Sequence, residues 1–315
     1  MERIDGYLVI DECKRVVSDK NDEQYWVYID DEEYYFKPTV FDMGNEFVNF
    51  AYKELVGYQA AKFLGIDACY TDLAVINGNK GIISKSLRKE GINLVSGNEI
   101  LGDYIADNFD IVKDMGMGSE LASQTEKYGL GDTTRYFSAM YINNLEMIWQ
   151  ALEYRYKDKI NIKSIMHQFV LMYMFTIILG DADKHPGNWF ILENGENIKL
   201  APLFDNGNIL IGYEEGYDID KIKMNFSTNF KDYEVNLVQT LKVFLETSGE
   251  EYFDLFVNIF DKMLMNFDAI LDMVEKQIGV EIPEYEKEKI IVAFNKNSEK
   301  ITEIIDSFKI KRQRK

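Results

Sequence analysis

Between Gly180 and Asn208 two acidic stretches are separated by what reads as a tight hairpin, and this is the segment around which the rest of the chain has to be arranged. Asp183 is followed five positions later by Asn188, then by a β-branched and aromatic run, the turn signal Asn194-Gly195, a second apolar run, and Asp205 shortly before Gly207. A hairpin brings the chain back to the end it left, so Asn188 and Asp205 are expected to face one cavity with Asp183 nearby. One carboxylate and one amide oxygen make a hard, all-oxygen pair suited to magnesium, with phosphates supplying further ligands. The second carboxylate is left to receive the proton of a substrate hydroxyl. Asp-x-x-x-x-Asn spacings recur by chance in a chain rich in both residues. The weight comes from the order of parts: an apolar helix candidate, the Asp loop, the hairpin, and an Asp close to glycine. The expected chemistry is phosphoryl transfer.

The run Gly180-Asp181-Ala182-Asp183-Lys184-His185-Pro186-Gly187-Asn188, with Leu200-Ala201-Pro202-Leu203-Phe204-Asp205 after it, resembles the HipA-like kinases. Their loop reads Gly-Asn-x-Asp-x-His-x-x-Asn, and their metal-binding Asp follows an apolar-x-Pro-x-aromatic stretch. Asp181 departs from the Asn usual at its place. Phosphoinositide kinases share the arrangement more loosely, and aminoglycoside-type phosphotransferases place the His before the Asp. The resemblance implies Asp183 as catalytic base, Asn188 and Asp205 as magnesium ligands, and His185 as a residue on the phosphate side or one that orders the loop. His185 is one of only two histidines, and a purely structural role is the competing reading.

Earlier in the chain, Tyr7-Leu8-Val9-Ile10, Tyr25-Trp26-Val27-Tyr28-Ile29 and Tyr34-Tyr35-Phe36-Lys37 read as strands, the last two forming a hairpin across the acidic turn Asp30 to Glu33. Lysines at strand ends often only protect a sheet edge. Phe36-Lys37-Pro38, however, is similar to the apolar-Lys-Pro of HipA-like proteins, which implies that Lys37 contacts the α- and β-phosphates of ATP. A phosphate-covering loop is expected between Val17 and Trp26. This segment contains no glycine; its backbone amides, Ser18 and Lys20 are the groups that could hold phosphate, against Asp19, Asp22 and Glu23. Glu46 to Leu64 has helical apolar spacing and stops at Gly65. Glu54 is the expected partner of Lys37, with Glu46 as the competitor. Leu73-Ala74-Val75-Ile76 and Gly81-Ile82-Ile83-Ser84 flank a second hairpin turn. By resemblance, Ser84 to Ser86 lie where an adenine ring would hydrogen-bond.

Residues 91–160 read as the start of a helical region with a polar stretch near Met117 to Thr134. Ile165 to Leu179 is apolar nearly all round, too short to span a bilayer, and is expected to be the buried helix that carries the Asp183 loop. Past Asp205, the segment through Tyr213 to Asp220 is short and no Ala-Pro-Glu element closes it. From Tyr233 to Phe308 amphipathic helical patterns predominate.

The expected fold is therefore α+β and bilobal, protein-kinase-like, with a small antiparallel-sheet N-lobe over residues 1–88 and a larger, mostly helical C-lobe over 89–315. A net charge of −19 disfavours nonspecific nucleic-acid binding, so no direct nucleic-acid partner is expected. Five of the last seven side chains are basic and reverse the sign locally, the pattern of a solvated terminus or of a partner-binding tail. Cys13 and Cys69 fit no metal-ligand spacing and read as small buried apolar residues. With neither a membrane-spanning run nor an apolar leader, a cytoplasmic protein is expected. The implied cofactors are ATP and Mg2+. The implied acceptor is a Ser/Thr hydroxyl on a protein, the chain itself included, and a regulatory protein partner is allowed for. A phosphoinositide-like lipid or a small molecule is the alternative acceptor, and a pseudokinase that binds partners without turnover is the non-enzymatic alternative.

Overall fold

The computed structural model describes residues 2–10, 13–21, 24–38, 40–42, 47–49, 51–108, 143–157, 162–210, 224, 226 and 236–313, with no side-chain description at 14–21, 40–42, 47–49 and 313. Glu46, the stretch Met117 to Thr134, the segment Tyr213 to Asp220, the last two residues of the basic tail, and the side chains of Ser18 and Lys20 lie outside it.

The protein is α+β. Seven strands form one sheet: β1 (Arg3–Ile4), β2 (Tyr7–Ile10), β3 (Lys14–Asn21), β4 (Gln24–Ile29), β5 (Glu32–Pro38), β8 (Thr71–Ile76) and β9 (Asn79–Lys85), in the order β1-β2-β8-β9-β5-β4-β3. It is antiparallel except where β2 runs parallel to β8. A separate pair, β6 (Val40–Asp42) and β7 (Phe47–Asn49), precedes the first helix. Most of the expected phosphate loop is strand: β3 and β4 pair with a register irregularity between Val16 and Asn21. The valine and aromatic content of the segment outweighs its polar residues. Turn chemistry sets the hairpins. Asp30 and Asp31 hold φ of 50° and 63°, and Asn77 and Gly78 hold 51° and 79°, the positive values that two-residue turns of matching twist require.

Helix α1 (Ala51–Leu64) begins five residues after the expected Glu46, because Phe47–Asn49 pairs as a strand. It is buried from Ala51 to Ala61, enclosed by neighbours on every side. Among the described residues the helical remainder comprises α2 (Gly97–Asp107), α3 (Leu145–Tyr156), α4 (Ile162–Leu179), α5 (Leu237–Thr247), α6 (Gly249–Ile278) and α7 (Glu284–Gln313). The starts of α2, α3 and α5 carry caps: Ser96 accepts from the Glu99 amide, Asn144 from Met147, and Asn236 and Gln239 form a reciprocal capping box. A separate three-stranded sheet pairs β10 (Asn93–Ser96) with the hairpin of β11 (Phe190–Asn194) and β12 (Asn197–Leu200).

One large core joins α1, the inner face of the sheet and the C-terminal helices, and a smaller one fills the other side of the sheet around Val27, Phe36, Ala74 and Ile83. Among the described residues, α4 alone is long and apolar enough to cross a membrane, yet 67% of it is buried inside the protein. That burial is what the all-round apolar run calls for in the central helix of a core. Cys69 is buried and Cys13 half-buried against the smaller core, neither of them in a disulfide.

Candidate active site

Lys37 points from β5 toward two carboxylates. Its Nζ lies 2.8 Å from Asp205 Oδ1, with which it hydrogen-bonds, and 3.5 Å from Glu54 Oε1. The strand lysine, the α1 glutamate and the Asp after the hairpin are thus brought together. Position 81 makes room for this, since a Cβ there would lie 2.6 Å from the Lys37 carbonyl and 2.4 Å from the Phe36 ring. Glu54 is anchored in turn: its Oε2 accepts the backbone N–H of Asn206 at 2.9 Å. Helix α1 can approach because it carries Gly57, where a Cβ would stand 2.7 Å from the Asn206 Cβ. At Gly207 a Cβ would meet Glu54 Oε1 at 2.9 Å.

Charge follows this geometry. Burial drives the Glu54 carboxyl up to about 7, against the pull of Lys37; the Asp205 charge adds to the rise. Burial also acts on Asp205, but Lys37, by charge and by hydrogen bond, together with Lys184 and His185, holds its carboxyl below the usual value. Lys37 is disfavoured as a cation by burial, and the two carboxylates outweigh this and raise its pKa.

The residues of the Asp183 loop follow directly on the end of α4. Asp183 Oδ2 accepts from Asn208 Nδ2 at 2.8 Å, and the Asp183 carbonyl accepts from Asn188 Nδ2 at 2.8 Å. The Asn188 amide is thereby oriented with its donor end toward the loop, and its oxygen is the atom available to a cation. His185 caps the short 3-10 turn Pro186–Asn188, its Nδ1 accepting the Gly187 N–H at 3.0 Å. The turn is propped from below: the Asn143 side chain donates to the Lys184 carbonyl at 2.8 Å and accepts from the Trp189 ring at 3.1 Å.

A cavity of about 570 Å3 opens beside Lys37, Glu54 and Asp205, walled by Trp26, Tyr35, Phe190 and Phe204. Ser84 and Ser86 line it too. Ser84 is paired within the sheet to both Tyr35 and Thr71, and the Ser86 N–H donates to the Glu33 carbonyl at 2.9 Å, its hydroxyl to Glu33 Oε2 at 2.6 Å. The Lys85 N–H is likewise committed, to the Tyr70 carbonyl. Cys69 borders the same space with its thiol pushed up to about 12 by burial, which keeps it protonated and unreactive.

As a metal site the donors are few and hard. The Asp205 side chain is 38% exposed, and no group of three or more His, Cys, Asp or Glu able to hold a metal occurs among the described residues. One carboxylate and one amide oxygen fit a cation that arrives with phosphate and water, as Mg2+ does, better than a metal held by protein alone.

Three residues here escaped sequence reasoning. Gly57 gave a sign, being a glycine in a helical pattern with no turn to make. Lys184 and Asn206 gave none, because their partners lie on segments that only the fold brings near.

No family model matches the chain, and no curated protein matches it. Among solved structures it is similar to a proinflammatory kinase of Helicobacter pylori, CtkA, with a TM-score of 0.64 at 16% identity over 98% of this chain and 99% of that one. It is also similar to HipA of Shewanella oneidensis, solved with HipB and operator DNA, with a TM-score of 0.55 at 12% identity, covering 88% of this chain and 60% of HipA. The chain therefore has the fold of the HipA-like kinases.

Proposed function

We propose that this chain, built on the fold of the HipA-like kinases, is an ATP- and Mg2+-dependent phosphotransferase whose acceptor is a Ser/Thr hydroxyl on a protein, itself included. The observation that carries the reading is Lys37 held between Glu54 and Asp205, at 3.5 and 2.8 Å, on the wall of a nucleotide-sized cavity. Residues 1–88 serve as the nucleotide lobe and 89–315 as the catalytic lobe. Glu54 holds the Lys37 ammonium at the α- and β-phosphates. Asp205 and the Asn188 amide oxygen hold the cation, which when bound offsets phosphate charge. Asp183 orients the acceptor hydroxyl and takes its proton, its own carboxylate steadied by Asn208. His185 keeps the loop in shape by capping the turn that presents Asn188. The aromatic walls receive the base. Phosphate contacts from the β3–β4 hairpin, including Ser18 and Lys20, complete the site. The protein works in the cytoplasm, where ATP is available, and its charge of −19 speaks against direct contact with nucleic acid.

Incubation with γ-phosphate-labelled ATP and Mg2+, with a generic protein acceptor and a phosphoinositide in separate reactions, tests this. Label is expected on protein hydroxyls and should be lost in Asp183→Asn. An Asp205→Ala variant should bind nucleotide poorly in Mg2+ and lose turnover by at least ~100-fold while remaining folded. Normal turnover in that variant would sink the assignment. Label confined to lipid would move the acceptor, and failure to bind ATP at all would make the protein a pseudokinase.

A further inference from the structure

Lys184 follows the proposed base directly and is completely buried. An ammonium in such a place needs oxygen partners on most sides. It has four: its Nζ donates to the Phe204 carbonyl at 3.0 Å, to Asn206 Oδ1 at 3.0 Å and, more weakly, to the Asp205 carbonyl at 3.4 Å, and the Asp181 carboxylate lies 3.3 Å away. One side chain thus grips three consecutive residues of the Asp205 loop. The middle residue, Asp205, has φ of 52°, in the left-handed region that non-glycine residues seldom occupy. Residue 206 passes the connection on to Glu54 through its backbone N–H. On the other side, Asp181 is also fully buried, and its Oδ1 accepts the Asp183 N–H at 3.1 Å. The Asp183 loop, the Asp205 loop and the α1 glutamate are therefore joined through a single buried cation. The Asp at position 181, where the resembling kinases carry Asn, supplies the negative charge that such a cation requires.

We infer that Lys184 is a positioning residue: it sets the backbone of the Asp205 loop, and so the aim of the Asp205 carboxylate, relative to the Asp183 loop, and Asp181 is the counter-charge that permits its burial. This deepens the phosphotransfer reading and rests on it. A salt bridge with only a structural role would need no contact with residues 204–206, and Lys184 spends three of its contacts there.

The experiment compares the parent protein, Lys184→Met and the double variant Asp181→Asn with Lys184→Met. Each is measured by thermal unfolding without ligand and by calorimetric titration with ATP, with and without MgCl2. Lys184→Met leaves a buried carboxylate unpaired and should unfold at lower temperature; the double variant removes that charge and should regain most of the loss. Regained stability should not restore the metal response. In both variants ATP binds without Mg2+ as in the parent, but the tightening that Mg2+ brings is reduced by about 10-fold or more. Should Lys184→Met not fold, the double variant decides alone. Full recovery of the Mg2+ response in the double variant would make Lys184 half of a structural pair and overturn the inference, as would an unchanged response in Lys184→Met. A parent protein whose ATP binding ignores Mg2+ would instead remove the phosphotransfer reading, and the inference with it.

Discussion

Glu54 carries two opposed demands. It must be charged to hold Lys37, yet it is buried deeply enough that its carboxyl titrates at about 7, raised from 4.5. A carboxyl whose pKa is raised on folding favours the folded state most when protonated. Its contribution is complete below about 4.5 and is lost as pH rises through 7, a swing of up to ~3 kcal/mol by linkage. Asp205 runs the other way: its lowered pKa adds stability above its ordinary value of 3.8 and loses it in acid. Lys37, raised from 10.5, contributes a constant amount throughout the neutral range. Between pH 5 and 8 the Glu54 slope should therefore dominate this site. Glu54→Gln should flatten the dependence of urea-unfolding free energy on pH across that window and be at least as stable as the parent at pH 8. It should also lower turnover by about 100-fold, since Lys37 loses its anchor. A variant that kept the parental slope would show that Glu54 titrates normally.

At the level of elements, glycines set how closely the pieces of the site approach. Helix α1 reaches the Asp205 loop only because Gly57 has no side chain, as its Cβ would lie 2.7 Å from that of Asn206. Gly57→Ala should push the helix away, costing ~1–3 kcal/mol in stability and weakening Mg2+-linked nucleotide binding together. Denaturant unfolding and ATP titration check both. The start of α2 is similarly close-set. A Cβ at Gly97 would fall 2.3 Å from the Trp189 ring and 2.6 Å from the Pro186 carbonyl, and the Gly97 N–H donates to the Trp189 carbonyl at 3.1 Å. Gly97→Ala is expected to disturb the turn that presents Asn188 while leaving the Lys37 side of the cavity in place. Turnover should therefore fall more than Mg2+-free ATP affinity does.

Across the whole molecule, α1 belongs as much to the C-terminal helices as to the sheet. Lys262 on α6 donates to the Phe63 carbonyl at 3.1 Å, Gln277 donates to the Thr71 carbonyl at 2.7 Å, and the Gln59 amide hydrogen-bonds to Gln277. The segment after α1 is stitched to the stretch between β12 and Asp205: the Cys69 N–H donates to the Leu203 carbonyl at 2.7 Å, and the Leu203 N–H to the Asp67 carbonyl at 2.8 Å. A helix held on all sides should not swing as a separate body. Amide exchange in α1 is expected to be as slow as in α4, and Gln277→Ala should speed exchange in α1 without affecting α4. Rapid exchange throughout α1 in the parent would contradict this.

What the chain declared by itself were the features set by local chemistry. Asn77-Gly78 and the paired aspartates at 30 and 31 adopt the positive φ that tight hairpins need, the all-round apolar run became the buried α4, and Asp183 and Asn188 precede, and Asp205 follows, the hairpin of β11 and β12 that the spacing implied. The α+β division was legible for the same reason, since period and turn signals act over a few residues; the resemblance to HipA-like kinases rests instead on the motifs Gly180 to Asn188 and Leu200 to Asp205. Tyr25 to Ile29 is the strand its residues imply, whereas Lys14–Asn21 is a strand running into the stretch where a loop is expected, because polar residues on a strand look like a loop until a partner strand is known. Tertiary structure alone decided which charges meet. Lys37 finds Asp205 across 168 positions, the Asn206 amide finds Glu54 across 152, and Lys184 is buried among oxygens from a loop 20 to 22 residues away. Such contacts leave no period in the sequence, because the energy that fixes them comes from desolvating groups that only the folded chain brings into one place.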